Sequence, residues 1–231
     1  MNRKFMVATA AAAVIALAGC AGGGVSQGGA GTAAVPNTGF LSDYSKLQPV
    51  DGVDGTYRFI DASANLRPYT KVTVDPVQVF LSPNPDYKGM QPDAMKRMTD
   101  AFRMEFVGAL ASGYQVVNQP GPDVLRIRLA ITGVQPTSPA LGVTDFIPIK
   151  ALFNVARDAS GNAPQVAEMS AEVEVLDPSG RVVGAAVSTR KSDKTLPQGE
   201  SITWTNLQAI AASWGKGMRQ NLDKMRGYAG Q

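Results

Sequence analysis

Side chains that move protons, attack carbon or hold metals are scarce in this chain of 231 residues, which has no histidine and one cysteine, Cys20. Without imidazole the usual general base, the commonest metal ligand and the Ser-His-Asp arrangement are gone, leaving carboxylate-only or Ser-Lys chemistry. The most suggestive carboxylates are Glu172 and Glu174 in "AEMSAEVEVL", two apart, so that on a strand both point the same way and could be read as an acid–base pair. Arg126 and Arg128 in "VLRIRLAI" have the same spacing. Opposite charges across neighbouring strands are an ordinary way to dress a solvated sheet face, and an exposed carboxylate has no reason to shift its pKa. Both pairs are therefore expected on an outward, solvated face without a catalytic role. A carboxylate hydrolase would have to draw on residues such as Asp145, Asp158 or Glu168, with two carboxyl groups facing each other about 5 to 9.5 Å apart.

Cys20 has a different chemistry. Arg3 and Lys4 make a basic start, Phe5 to Leu17 is apolar, and Leu17-Ala18-Gly19 supplies small residues before the thiol, the three regions of an export signal. The run is too short to cross a hydrocarbon core of about 30 Å, which needs roughly 20 apolar helical residues. Leu17-Ala18-Gly19-Cys20 looks like the bacterial lipobox: Cys20 takes diacylglycerol on sulfur, the chain is cut between Gly19 and Cys20, and the new amine takes an acyl chain such as palmitate. Each buried methylene contributes about 0.8 kcal/mol, so several chains form a lasting membrane anchor. No thiol then remains for a disulfide, a nucleophile or a metal cluster, and no cofactor or metal is expected.

Charge adds little. The 22 basic and 19 acidic residues give +3, which falls to +1 once Arg3 and Lys4 leave with the signal. No basic stripe of the kind nucleic acid demands is visible, so no nucleic-acid partner is expected.

The elements that must position any site follow from hydrophobic period. Residues 1–19 read as the signal, and 20–39 as the lipidated cysteine with a Gly/Ala/Ser-rich tether reaching roughly 25 Å on average and at most roughly 65 Å. Residues 40–231 read as one domain. "TYRFID" and "KVTVDPVQVFL" read as strands; in the second, the alternation slips by one residue at Asp75-Pro76, which predicts a bulge. Pro92 to Ser112 reads as a helix with Met95, Met98, Phe102, Phe106 and Leu110 on one stripe and Gly113 as a left-handed stop. The methionines on this stripe belong to a core rather than to a soft metal site.

"YQVVN" and "DVLRIRLAITGV" read as strands, and residues 167–191 as a hairpin turning at Asp177-Pro178-Ser179-Gly180. Trp204 to Tyr228 reads as a helix whose stripe of Trp204, Leu207, Ile210, Trp214, Met218, Leu222 and Met225 packs on the apolar sheet face, capped by Thr205 with Gln208 or by Thr203. Between residues 135 and 164, "FIPIKALFNVARD" carries an apolar set within a proline-rich connection. Phe146, Ile147, Ile149, Leu152 and Phe153 are the candidate partner surface, with a cover over the sheet edge as the equal alternative.

Directly after the tether stands "GFLSDYSKLQP", with "YRFID" and "YTKVTVDPVQVF" beyond it. Phe40, Leu41, Asp43, Tyr44 and Leu47, and then Asp75, Pro76 and Val77, resemble the opening motif and the Asp-Pro-Val strand of a bacterial lipoprotein family of unknown function, domain-of-unknown-function family 3313. The likeness runs over most of Phe40 to Tyr228. It implies a lipoprotein address and no catalytic residue, since the family has no assigned activity. Leu41, Tyr44 and Leu47, three apart, are expected on a short helical turn that plugs the base of the domain, with Asp43 near its start. The element order also looks similar to small α+β lipoproteins of the Gram-negative envelope, an analogy of fold and address alone.

The expectation is an α+β domain, a mostly antiparallel sheet with helices packed on one face, held to a membrane through Cys20. Ala21, where aspartate commonly marks inner-membrane retention in enteric bacteria, points to the outer membrane with the domain facing the periplasm. A non-catalytic binding or accessory module with an envelope protein partner is expected. The alternatives are a cell-wall or glycan hydrolase and a lipid carrier, which would need an apolar cavity between sheet and helices.

Overall fold

The computed structural model describes residues 35–80, 92–137, 165–196 and 202–227. Cys20, Gly19, Asp145, Asp158 and the candidate surface Phe146, Ile147, Ile149, Leu152 and Phe153 lie outside these residues. The described elements are β1 (Gln48–Pro49), β2 (Thr56–Ile60), β3 (Lys71–Val74), β4 (Gln78–Val79), α1 (Pro92–Ala111), β5 (Gln115–Val116), β6 (Val124–Thr137), β7 (Gln165–Leu176), β8 (Val182–Leu196) and α2 (Trp204–Arg226).

They build one mixed sheet in the order β1-β2-β8-β7-β6-β3-β5, with β4 also on β6. The long strands pair antiparallel, while β3 and β4 run parallel to β6, and β5 parallel to β3. The fold is α+β, with α1 and α2 packed on one face. The expected bulge is present: Val74 aligns with Ile127 and Gln78 with Ala130, so four residues on one strand match three on the other across Asp75 to Val77. It absorbs the slip and keeps both halves of the segment on β6.

The helices bury the stripes their periods predict. Met98, Phe102, Phe106 and Leu110 of α1 and Leu207, Ile210, Met218 and Leu222 of α2 join Val72, Leu125, Ile127, Leu129, Ile131 and Met169 in the main core. Burying each large apolar side chain contributes about 1.5–3 kcal/mol, which makes this seam the principal stabiliser of the domain. The two helices approach closely at Gly215, where a Cβ would stand 3.1 Å from Ala109 Cβ and 3.1 Å from the Glu105 carbonyl oxygen.

Helix ends bring one choice and one correction. The α2 N-cap is Thr203, whose N–H donates to Asn206 Oδ1 at 2.8 Å, and the helix stops at Gly227 with φ 82°. Gly113, by contrast, is not a left-handed stop, since it is absent from the glycines with positive φ. Its value is space: a Cβ there would lie 2.0 Å from Arg219 Nη2, because that guanidinium group crosses this point as its Nη1 donates to Ser112 Oγ at 2.6 Å.

The second correction concerns the sheet face away from the helices. Its middle is not solvated, since Glu172 is 1% and Glu174 0% exposed, whereas Arg126 keeps 57% of its side chain exposed as expected. The chain after Val35 crosses this face, and Phe40, Leu41 and Leu47 bury themselves with Ala130, Ala185 and Val187 in a second core. Nor do Leu41, Tyr44 and Leu47 form a helix; they lie in bends and a turn closed by Leu47 N–H on the Tyr44 carbonyl at 3.2 Å. The segment is a cover over the middle of the sheet rather than a plug at its base.

Candidate functional site

The covered face holds a polar cluster, and strand register explains its placement. Glu172 sits in the row Ala130–Glu172–Val187–Tyr57, and Glu174 in the row Arg128–Glu174–Ala185–Phe59. A buried carboxylate is costly unless it is paired and hydrogen-bonded, and both are. Glu174 takes Arg128 Nη1 on one oxygen and the Ser42 N–H, at 2.9 Å, on the other. Glu172 accepts from Thr38 Oγ1 at 2.9 Å and from the Tyr44 hydroxyl. The same phenol oxygen faces the N–H groups of Gly39, Phe40 and Leu41 at 3.1, 3.1 and 3.2 Å. The guanidinium of Arg128 lies 4.9 Å from the Phe40 ring centroid, a cation–π contact that roofs the ion pair. The carboxylates that sequence spacing brought together thus hold the cover in place.

The other sequence candidates are dispersed. Arg126 leaves the pair and grips Asp75 on the bulge through Nε at 2.9 Å and Nη2 at 2.7 Å, and bonding to that carboxylate holds its own pKa raised. Glu168 accepts from Gln135 Nε2 at 2.7 Å.

The helical face contains an open apolar groove of about 330 Å³ between α2 and the strands β2, β8 and β7, none of whose lining residues the sequence reading assigned to a site. Three cross-strand rows make its floor: Val175–Gly184–Ile60, Val173–Ala186–Arg58 and Ala171–Ser188–Thr56. Gly184 and Ala186 of the floor and Gly217 of α2 bring little or no side chain to the lining, and a Cβ on Gly217 would meet nothing within 4 Å. Phe102, Phe106 and Leu129 close the inner end. Polar bonds fix the walls: Arg58 Nη1 donates to Asn221 Oδ1 at 3.0 Å, Trp214 Nε1 to Ser188 Oγ at 3.0 Å, and Ser188 Oγ lies 2.7 Å from Thr56 Oγ1. Arg58, Arg190 and Lys224 stand along the lining, and the Nε of Arg190 is buried without a hydrogen-bond partner among the described residues. The signal in the sequence was "VVGAAVSTR", a β8 segment with small residues at every second position.

Comparisons with known proteins add relatives but no reaction. Among solved structures the chain is similar to the PelC dodecamer from Paraburkholderia phytofirmans (12% identity, covering 70% of this chain and 96% of that one, TM-score 0.37). It is also similar to lipoprotein GNA1162 from Neisseria meningitidis (12% identity, 66% and 99% covered, TM-score 0.35). In sequence it is 24% identical over 165 residues to the uncharacterized lipoprotein YdcL of Escherichia coli K12, covering 71% of this chain and 70% of that protein. The model of the family described as "Protein of unknown function (DUF3313)" matches residues 36–218, from just inside the sheet cover to the third turn from the end of α2, and the chain belongs to that family.

Proposed function

We propose that this protein is a non-catalytic binding or accessory module of the bacterial cell envelope, anchored by lipid on Cys20 to the outer membrane, with its domain in the periplasm and an envelope protein as its partner. The signal, the Leu17-Ala18-Gly19-Cys20 motif and the lipoprotein relative support the address. The observation that carries the non-catalytic reading is the engagement of Glu172 and Glu174. Their oxygens are engaged by Arg128, Ser42, Thr38 and Tyr44 beneath a packed cover.

Crosslinking of the full lipoprotein in native membranes, followed by purification under denaturing conditions, tests the partner. A reproducible envelope protein in the adduct is the expected result. Absence of any adduct, together with cleavage of wall fragments by the purified protein, overturns the reading in favour of a hydrolase. The anchor has its own test: Cys20→Ser leaves uncut precursor that no longer takes up radiolabelled fatty acid, and unchanged labelling refutes the assignment.

A further inference from the structure

We infer that the groove between α2 and the β2–β8–β7 floor binds the hydrocarbon chain of an anionic single-chain amphiphile, with its head group among Arg58, Arg190 and Lys224. This goes beyond the envelope-module reading and does not depend on it. Protein interiors are close-packed, and voids larger than a water molecule are few. A groove of about 330 Å³ that reaches Phe102, Phe106 and Leu129 is an exception built by Gly184, Ala186 and Gly217. Its volume lies at the lower end of ligand pockets, about 300–1,000 Å³, which suits one chain rather than two. The inner end is aromatic and aliphatic, so it favours a hydrocarbon.

Charge selects the head group. Three cationic side chains line the groove, and its acidic residue, Glu172, has both carboxylate oxygens engaged by Thr38 and Tyr44 on the opposite face of the sheet. Arg190 brings a buried Nε donor with no acceptor among the described residues, and an anion would supply one. Fatty acids and lysophospholipids share this chemistry of one chain and one anionic head.

Trp214 lines the groove with its ring 6.1 Å from that of Phe102, so it reports on an occupant at depth. The full lipoprotein carrying Trp204→Phe, which leaves Trp214 as the remaining tryptophan, is placed in phosphatidylcholine nanodiscs. It is then titrated with a fatty acid brominated at the tail tip, and separately with the matching quaternary-ammonium amphiphile. Saturable quenching by the acid is expected, with binding of the cation weaker by at least about tenfold, the scale of one charge-assisted hydrogen bond. Arg58→Gln with Arg190→Gln should weaken the acid by a similar factor and leave the cation no weaker.

Gly217→Leu, which fills the groove from open space, should remove saturable quenching while the unfolding midpoint holds or rises. Ala186→Leu blocks from the floor and serves if the first variant fails to fold. Displacement of the probe by laurate alone identifies a carboxylate head, and displacement by lysophosphatidylglycerol a phosphodiester. Quenching that is absent, or unsaturable and equal for both probes and unchanged by Gly217→Leu, overturns the inference.

Discussion

Arg128 on β6 and Glu174 on β7 are direct cross-strand neighbours, and their ion pair lies under the ring of Phe40 with Glu174 fully buried. Breaking a buried pair leaves an uncompensated charge and typically costs about 3–5 kcal/mol. Arg128 keeps 24% of its side chain exposed, so Glu174→Ala is expected near about 3 kcal/mol, the lower end of that range, whereas Arg128→Met strands the buried Glu174 and is expected near the upper end, about 5 kcal/mol. The double variant Arg128→Met/Glu174→Leu should cost clearly less than the sum, because no charge is then stranded. Urea unfolding of the four proteins at neutral pH measures the coupling.

Tyr44→Phe tests the cover itself. The hydroxyl bridges three backbone N–H groups to Glu172, and losing it leaves that carboxylate with Thr38 as its remaining side-chain donor. A loss of about 1–3 kcal/mol is expected, and it should be local. In hydrogen exchange the amides of Gly39, Phe40 and Leu41 should lose protection while those of α1 do not; a uniform change across the sheet would contradict the cover as a separate unit.

Acid sensitivity should come in part from three Asp-x-Ser turns with one geometry. In each, the serine N–H and hydroxyl both donate to the aspartate Oδ1: Ser45 to Asp43 at 2.8 and 2.6 Å, Ser63 to Asp61 at 2.9 and 2.6 Å, and Ser179 to Asp177 at 2.9 and 2.6 Å. The serine bonds lower the pKa of Asp43 and Asp61 below the ordinary 3.8. At Asp177 burial pushes upward, but Ser179 and Arg181 outweigh it, and that carboxyl is lowered too. A depressed native pKa gives stability that is present above 3.8 and lost as pH falls through the lower native values. Ser63→Ala and Ser179→Ala should therefore raise the carboxyl pKa of their partners in NMR titrations. The same variants should flatten the stability profile below that pH while lowering stability at neutral pH.

Two glycines of α2, two residues apart, should respond in opposite directions. Gly217→Ala adds a methyl group in open space and gains helix propensity, a stabilisation of about 0.8–1.0 kcal/mol. Gly215→Val drives side-chain atoms into Ala109 and the Glu105 backbone and should cost about 1–3 kcal/mol through separation of α1 from α2. Thermal unfolding distinguishes them by the sign of the shift.

Periodicity in the sequence was sufficient for α1, α2, the β7–β8 hairpin and the bulge at Asp75, because each is decided within a dozen residues. The fate of Glu172 and Glu174 was not, since their burial depends on residues 35–47, more than 120 positions away, and an alternating strand reads the same whether its polar face meets water or a cover. Two signals were nevertheless present. Phe40, Leu41, Tyr44 and Leu47 crowd the start of the domain, and "VVGAAV" of β8 is apolar at consecutive positions, as in a strand buried on both faces. The groove was hidden for another reason: it arises where side chains are missing, and a space between a strand and a helix distant in sequence has no local pattern.

The cover also decides where mechanical load enters the domain. The chain coming from Cys20 joins the described fold at Val35 and is fastened by Thr38, Tyr44 and Ser42 to the central strand β7, not to an edge strand. Tension on that chain would pull on a strand flanked on both sides by long antiparallel ladders, β6 and β8, and so act on many backbone bonds at once instead of peeling them singly.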